Sequence, residues 1–296
     1  MKKTISLFLV VAMIMLLFAS CQGPAKVKVN GVKVDNEIYT YFEDLLDDSL
    51  SKAEKETSIK KSISRYVAIN SEFYNRGLTL SSGEKTTLSS TVNDLWHLFG
   101  AHYENIGVSK QTIYKIEESK AYERALLNFY YSEKGPSPVS EDSIKEFFKE
   151  NYVAVRLVAG YLFNVDENGA NVPMTDAQKN SIVDSFNSIA TMVNGGTSLE
   201  EAIGSLGNNA EIRNSLVYVS DSGTLPEGFF AAAKAIEINK AAAIALDDYI
   251  FLVQRIDVFN EEYGYYSSYR TDCLQKMKGE EFSKIVDKWT EAYIAK

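Results

Sequence analysis

Residues 263–294 read YGYYSSYRTDCLQKMKGEEFSKIVDKWTEAYI, and how this stretch is covered decides the fold. Leu274, Met277, Phe282, Ile285, Trp289 and Ile294 recur at helical spacing, with Cys273 beside the first of them. Such spacing predicts one long helix with an apolar stripe. A helix this long and this apolar along one side does not stand free in water. The natural cover is the set of helices near the amino terminus. The expected molecule is therefore discontinuous: its first and last segments build one body, and the middle of the chain is inserted between them.

The front of the chain offers the required surface. Val27–Val34 alternates apolar and polar around Asn30-Gly31, the signal of a tight hairpin. Asp35 is placed to cap a helix striped by Ile38, Tyr41, Phe42, Leu45 and Leu46. A second helix carries Ile59, Ile63, Tyr66, Val67, Phe73 and Tyr74 and stops at Gly77. Ser81 and Glu84 have capping-box spacing before a third, striped by Leu88, Val92, Leu95, Trp96 and Phe99. A fourth runs from Ser109 through Ile113, Ile116 and Leu126 toward Tyr131.

Gly135-Pro136-Ser137-Pro138 then breaks the pattern. Ser140 is expected to cap a helix bearing Ile144, Phe147, Phe148 and Tyr152. Val153–Phe163 reads as a buried strand, 175–194 as a helix ending at Gly195-Gly196, and Leu199–Ser205 as a short helix. Leu216–Val219 reads as a strand and Pro226–Ile236 as a helix. Ala242–Leu246 and Tyr249–Ile256 form a hairpin around Asp247-Asp248. Strand, helices, strand, helix and hairpin indicate a small α+β domain.

The amino terminus reads as a leader. Met1-Lys2-Lys3 precedes a 14-residue apolar run, Ile5 to Phe18, broken only by Ser6, and then Ala19-Ser20-Cys21. A basic start, a short apolar core and small residues at a cut site make a secretory signal over residues 1–20. The run falls short of the roughly 20 residues a membrane span needs, which weighs against an uncleaved anchor. Phe18-Ala19-Ser20-Cys21 resembles a bacterial lipobox, with Phe18 in place of the more usual Leu. That resemblance implies that Cys21 carries lipid and that residues 21–26 form a tether. One acyl chain holds a protein only marginally; the lipobox implies two or three.

Loss of Lys2 and Lys3 takes the formal charge from −9 to −11. An acidic surface disfavours nucleic acid as a partner, and it leaves attachment to an anionic membrane to the lipid rather than to charge. With Cys21 lipidated, Cys273 is left without a disulfide partner. His97 and His102 lie five apart on a helical stretch and do not share a face, so no metal is expected. No phosphate loop, nucleophile elbow or metal-spaced motif is present, and no cofactor is expected.

Several phrases, in order, resemble the SurA/PrsA family of extracytoplasmic foldases. Val29-Asn30-Gly31-Val32 resembles its amino-terminal entry, and Arg76-Gly77-Leu78-Thr79-Leu80-Ser81 its helix–Gly junction. Val139–Phe148 resembles the lead into its parvulin-type prolyl isomerase domain. Gly195–Glu201 and Leu225-Pro226-Glu227-Gly228-Phe229 resemble phrases within that domain. The implied architecture is α+β: a helical SurA/PrsA-like chaperone domain from residues 27–135 and 261–296, with a parvulin-like domain, 136–260, inserted. The implied function is a membrane-anchored chaperone outside the cytoplasm that binds unfolded secreted or envelope polypeptides.

The same resemblance locates the site. Aligning Ala159–Phe163 on the family's first strand puts Gly160 at one histidine of the isomerase pair, and aligning Asp248–Val253 on its last strand puts Phe251 at the other. Asn208 and Asn209 lie near the acidic or thiol position. With both histidines missing, no catalytic residue is assigned and the isomerase is expected to be degenerate. Val217, Leu225 and Phe229 fall where the family lines its proline pocket, and the residues themselves read equally as ordinary core. Ala232 and Ala233 stand where the family often has a second aromatic. Tyr263, Tyr265, Tyr266 and Tyr269 either line a client cleft or pack the start of the last helix. An active isomerase, and a non-catalytic scaffold with one envelope partner, remain the alternatives.

Overall fold

A computed structural model describes residues 27–204, 210–260, 262 and 264–293; the leader, Cys21, the tether, Asn208, Asn209, Tyr263 and Ile294 lie outside them. The chain divides into two compact units. One is built from residues up to Ser140 and from Leu274 onward, and the other from Glu141 to Cys273.

The first unit opens with a miniature hairpin, β1 (Lys28–Val29) and β2 (Val32–Lys33). Asn30 and Gly31 both take positive φ, 49° and 85°, as a two-residue hairpin turn requires. Four helices follow: α1 (Asn36–Asp44), α2 (Lys52–Asn75), α3 (Ser82–Asn105) and α4 (Lys110–Tyr130). Each start is capped locally. Asp35 Oδ1 accepts the Glu37 N–H at 3.1 Å, and Ser51/Glu54 and Ser81/Glu84 form reciprocal capping boxes. The helices α2 and α4 interlock through Phe73 stacked on Tyr122 (3.9 Å between ring centres) and a Tyr74–Tyr122 hydroxyl contact of 2.8 Å. Buried Asn70 donates to the Tyr66 carbonyl and to Ser119 Oγ, so its amide is not left unpaired in the core.

The long carboxy-terminal helix, labelled α9 because four helices of the second unit intervene, spans Tyr265–Glu291. From Leu274 onward it belongs to the first unit. Leu274, Phe282 and Val286 are buried. Phe282 meets Tyr130 and Tyr131 edge-on, and Trp289 lies 6.5 Å from Tyr130. The Arg76 guanidinium sits 4.9 Å over the Trp289 ring, and Asn30 donates to the Ala292 carbonyl. The apolar stripe thus turns onto the amino-terminal helices.

The second unit begins with α5 (Glu141–Asn151) and contains β3 (Val153–Tyr161), β4 (Phe163–Val165), β5 (Asn171–Pro173), α6 (Asp176–Asn194), α7 (Leu199–Ile203), β6 (Ala210–Val219), α8 (Phe229–Ala235), β7 (Ala241–Leu246) and β8 (Tyr249–Ile256). Four strands make an antiparallel sheet in the order β6-β3-β8-β7. β3 is central, which explains its nearly unbroken apolar sequence. One face packs on α6 and α7 through Val158, Phe186, Ile189, Ile250 and Leu252. The other packs on α8 through Val155, Leu157, Phe229, Phe251 and Val253.

Several boundaries differ from expectation, three of them for reasons visible in the pairing and backbone. The strand expected over Val153–Phe163 ends at Tyr161, because the Leu162 N–H turns aside to the Asp248 carbonyl (2.7 Å) and the chain enters the separate β4–β5 hairpin. The strand expected at Leu216–Val219 begins at Ala210, since pairing with β3 extends it past polar residues. The helix expected from Pro226 begins at Phe229, after Gly228 at φ 81°. No helix among the described residues is long and apolar enough to cross a membrane.

Candidate functional site

The second unit holds the predicted pocket residues. Phe229 is the first residue of α8 and is 1% exposed; its ring meets Phe251 edge-on at 4.9 Å. Leu225 and Val217 are partly buried against the same core. The position of α8 is held by Arg255, whose Nη1 donates to the carbonyls of Lys234 and Ile236 at the helix end. In front of α8 lies a cleft of about 410 Å³ lined in part by Leu225, Pro226, Phe229 and Phe230, and also by Asp221 and Glu227. Val217 does not line it. Phe230, at the start of α8, lines the cleft, while Ala233 is fully buried. Of the three predicted residues, Leu225 and Phe229 both line the cleft and pack on the core, and Val217 packs on the core alone.

The two positions aligned with the histidine pair do not face each other. Gly160 pairs with Ile250, whereas Phe251 pairs with Ala159. Successive residues of a strand point to opposite faces, so Gly160 belongs to the α6 face and Phe251 to the α8 face. The residue opposite Phe251 on the α8 face is Ala159. Gly160 is also sealed: a β-carbon there would lie 2.8 Å from Phe186 Cζ and 3.2 Å from Ile250 Cγ2. The α8 face of the sheet thus carries a methyl and a benzyl group at these positions, neither of which transfers a proton or polarises an amide.

The tyrosines at the start of α9 are structural. Within the second unit Tyr266 and Tyr269 pack on Phe148 of α5, and Tyr265 and Tyr269 pack on Tyr218. Tyr266 donates to Glu141 at 2.6 Å, and Arg270 grips the same carboxylate through Nε and Nη2. Burial pushes the Glu141 carboxyl up, but these bonds and charges outweigh it and hold it below its usual range.

The first unit has an apolar groove that the motif reading missed. α1, α2 and α4 enclose about 230 Å³ lined by Tyr41, Phe42, Leu45, Tyr66, Ile69 and Ile116, with Arg65, Lys120 and Glu123 also lining it. Leu45, which also lines the groove, is 63% exposed. The rings continue onto α3: Tyr41 neighbours Tyr103, which neighbours Trp96 and the half-exposed Phe99. The signal was in the sequence as the excess of apolar residues on α1 and α3, but it is indistinguishable there from core. His102, bonded to Asp44 at 2.8 Å, edges this surface. Among the described residues no cluster of His, Cys, Asp and Glu could hold a metal, and Cys273 is free and buried.

No family model and no curated protein matches this sequence. Solved structures similar to the chain include foldase protein PrsA from Lactococcus lactis, with 9% identity and a TM-score of 0.45, covering 91% of this chain and 93% of that one. Foldase protein PrsA from Streptococcus pneumoniae str. Canada MDR_19A matches with 11% identity and a TM-score of 0.40, over 84% and 92% of the two chains. PrsA from Bacillus subtilis matches with 12% identity and a TM-score of 0.36, over 91% and 93%.

Proposed function

We propose that this protein is a lipid-tethered chaperone of the SurA/PrsA foldase type that holds unfolded exported polypeptides outside the cytoplasm. In this reading residues 1–20 are removed and Cys21 carries the lipid. Residues 27–135 and 261–296 form the client-holding body, and 136–260 form a parvulin-like insert without catalytic imidazoles. The observation that carries it is the open groove of α1, α2 and α4, whose apolar floor and exposed Leu45 offer unfolded segments a place to bury their own apolar side chains. The cleft beside Leu225 and Phe229 serves as a residual peptide surface. Rotation about an X–Pro bond faces a barrier of roughly 18–20 kcal/mol, and Ala159 and Phe251 supply nothing that lowers it by proton transfer or hydrogen bonding.

Suppression of aggregation of a chemically unfolded client by the full chain tests the reading. Leu45→Glu removes apolar surface from the groove mouth and puts a charge there. Because Leu45 is 63% exposed, the fold should lose no more than about 0.5 kcal/mol, so lost protection would report binding and not unfolding. A variant as protective as the parent would reject the groove as the holding surface, and a parent that protects nothing would reject the function.

A further inference from the structure

The face of the sheet that packs on α8 is only partly covered by that helix. α8 is seven residues long, and beyond it the aromatic core continues outward in contact steps. Phe229 meets Phe251 at 4.9 Å, Phe251 stacks on Tyr249 at 6.2 Å, Tyr249 faces Tyr161 at 5.7 Å, and Tyr161 meets Phe163 at 4.9 Å. Tyr161 and Tyr249 are cross-strand partners and so share this face. They are 44% and 38% exposed, and the adjoining hairpin adds Val165, on the same strand face as Phe163, at 61%. The row starts in the core and ends in solvent.

The turns that border this shelf are acidic. The turn before Tyr249 is Asp247-Asp248, the turn after Phe163 contains Asp166-Glu167, and the neighbouring cleft is edged by Asp221 and Glu227. All six side chains are on exposed residues. The turns themselves, residues 162–175 and 246–250, contain no lysine or arginine, and the arginines of β3 and β8 lie at the far end of the sheet, where Arg156 pairs with Glu200 and Arg255 donates to the carbonyls of Lys234 and Ile236. A shelf meant for any apolar segment has no need of such a rim. Aromatic faces with carboxylates at their edges suit a partner that brings aliphatic surface and positive charge together, since guanidinium and ammonium groups favour ring faces and are drawn in by the surrounding field.

We propose that the shelf formed by Tyr161, Phe163 and Tyr249, with its rim of carboxylates, is a docking site for extended polypeptide segments rich in arginine or lysine beside apolar residues. The site lies in the second unit and is separate from the groove of the first, so it stands or falls independently of holdase activity there.

Fluorescence anisotropy of the full chain with a labelled, unstructured 12-residue peptide of alternating arginine and leucine provides the test. A matched peptide with glutamate in place of arginine is the control. The arginine peptide should bind, and the glutamate peptide should bind at least tenfold more weakly. Asp247→Asn with Asp248→Asn keeps the turn, because asparagine tolerates the positive φ of 51° at position 247, and should weaken binding roughly fivefold. Tyr249→Ala should weaken it by a similar factor, and Leu45→Glu should leave it unchanged. Absence of binding, equal binding of both peptides, or affinity indifferent to the Asp247/Asp248 and Tyr249 variants would overturn the proposal. So would concentration-dependent self-association abolished by Tyr249→Ala, since the shelf would then serve a second copy of the chain.

Discussion

Replacing Gly160 with alanine probes whether the α6 face of the sheet is closed. The new β-carbon would stand 2.8 Å from Phe186 Cζ and 3.2 Å from Ile250 Cγ2, whereas carbon atoms at ease are about 3.5–4.0 Å apart. Phe186 is 3% exposed and Ile250 fully buried, so the ring can retreat only by compressing the core it shares with Ile189, Val193 and Leu252. Overpacking of this kind costs about 1–3 kcal/mol. Removing a glycine from a strand interior returns about 0.5–1 kcal/mol, so the clash wins and the net loss should be about 1–2 kcal/mol. Phe186→Ala alone should cost about 3–5 kcal/mol through the cavity it leaves. The double variant should lose about 1–2 kcal/mol less than the sum, because the added methyl enters relieved space. Urea unfolding followed by circular dichroism reads all four proteins. A Gly160→Ala protein at least as stable as the parent, or strict additivity in the double variant, would refute the reasoning. The same crowding implies that Gly160→His unfolds the second unit and does not create an isomerase.

Other consequences follow from named contacts. Burial pushes the Glu37 carboxyl up, but the Ser109 N–H and hydroxyl, the Thr112 hydroxyl and the Lys115 charge hold it below its ordinary 4.5 overall. Its folded pKa lies below the unfolded one, so its stabilisation is present above pH 4.5 and lost as pH falls through the folded value. Glu37→Gln should therefore cost about 1 kcal/mol at neutral pH, with the gap closing in strong acid when unfolding is measured against pH. Phe282→Ala should destabilise the first unit by about 3–5 kcal/mol, with Trp289 fluorescence reporting the earlier transition; an unchanged midpoint would mean that the last helix does not complete this core. In a proline-peptide isomerisation assay the full chain should leave the uncatalysed exchange, tens of seconds or more, unaccelerated, and a several-fold rate increase would show that catalysis survives without imidazole.

What the sequence determined by itself is local. The Asn30-Gly31 turn, the caps at Asp35 and Ser81, and the stripes of α2, α4 and α9 arise from residues within a few positions of one another, so they are legible in one dimension. The apolar stripe of the last helix even required a partner surface far away in sequence, although which residues it would meet was not written there. Pairing decided the rest. Gly160 and Phe251 fall on opposite faces because strand register puts Ala159, not Gly160, opposite Phe251, and a one-residue shift of register exchanges every side chain between faces. The β4–β5 hairpin was hidden inside what reads as one apolar run. Exposure was likewise invisible: Leu45, Tyr161 and Tyr249 carry the same hydrophobic signal as residues of the core, and only the shortness of α8 and the spacing of α1, α2 and α4 leave them facing water.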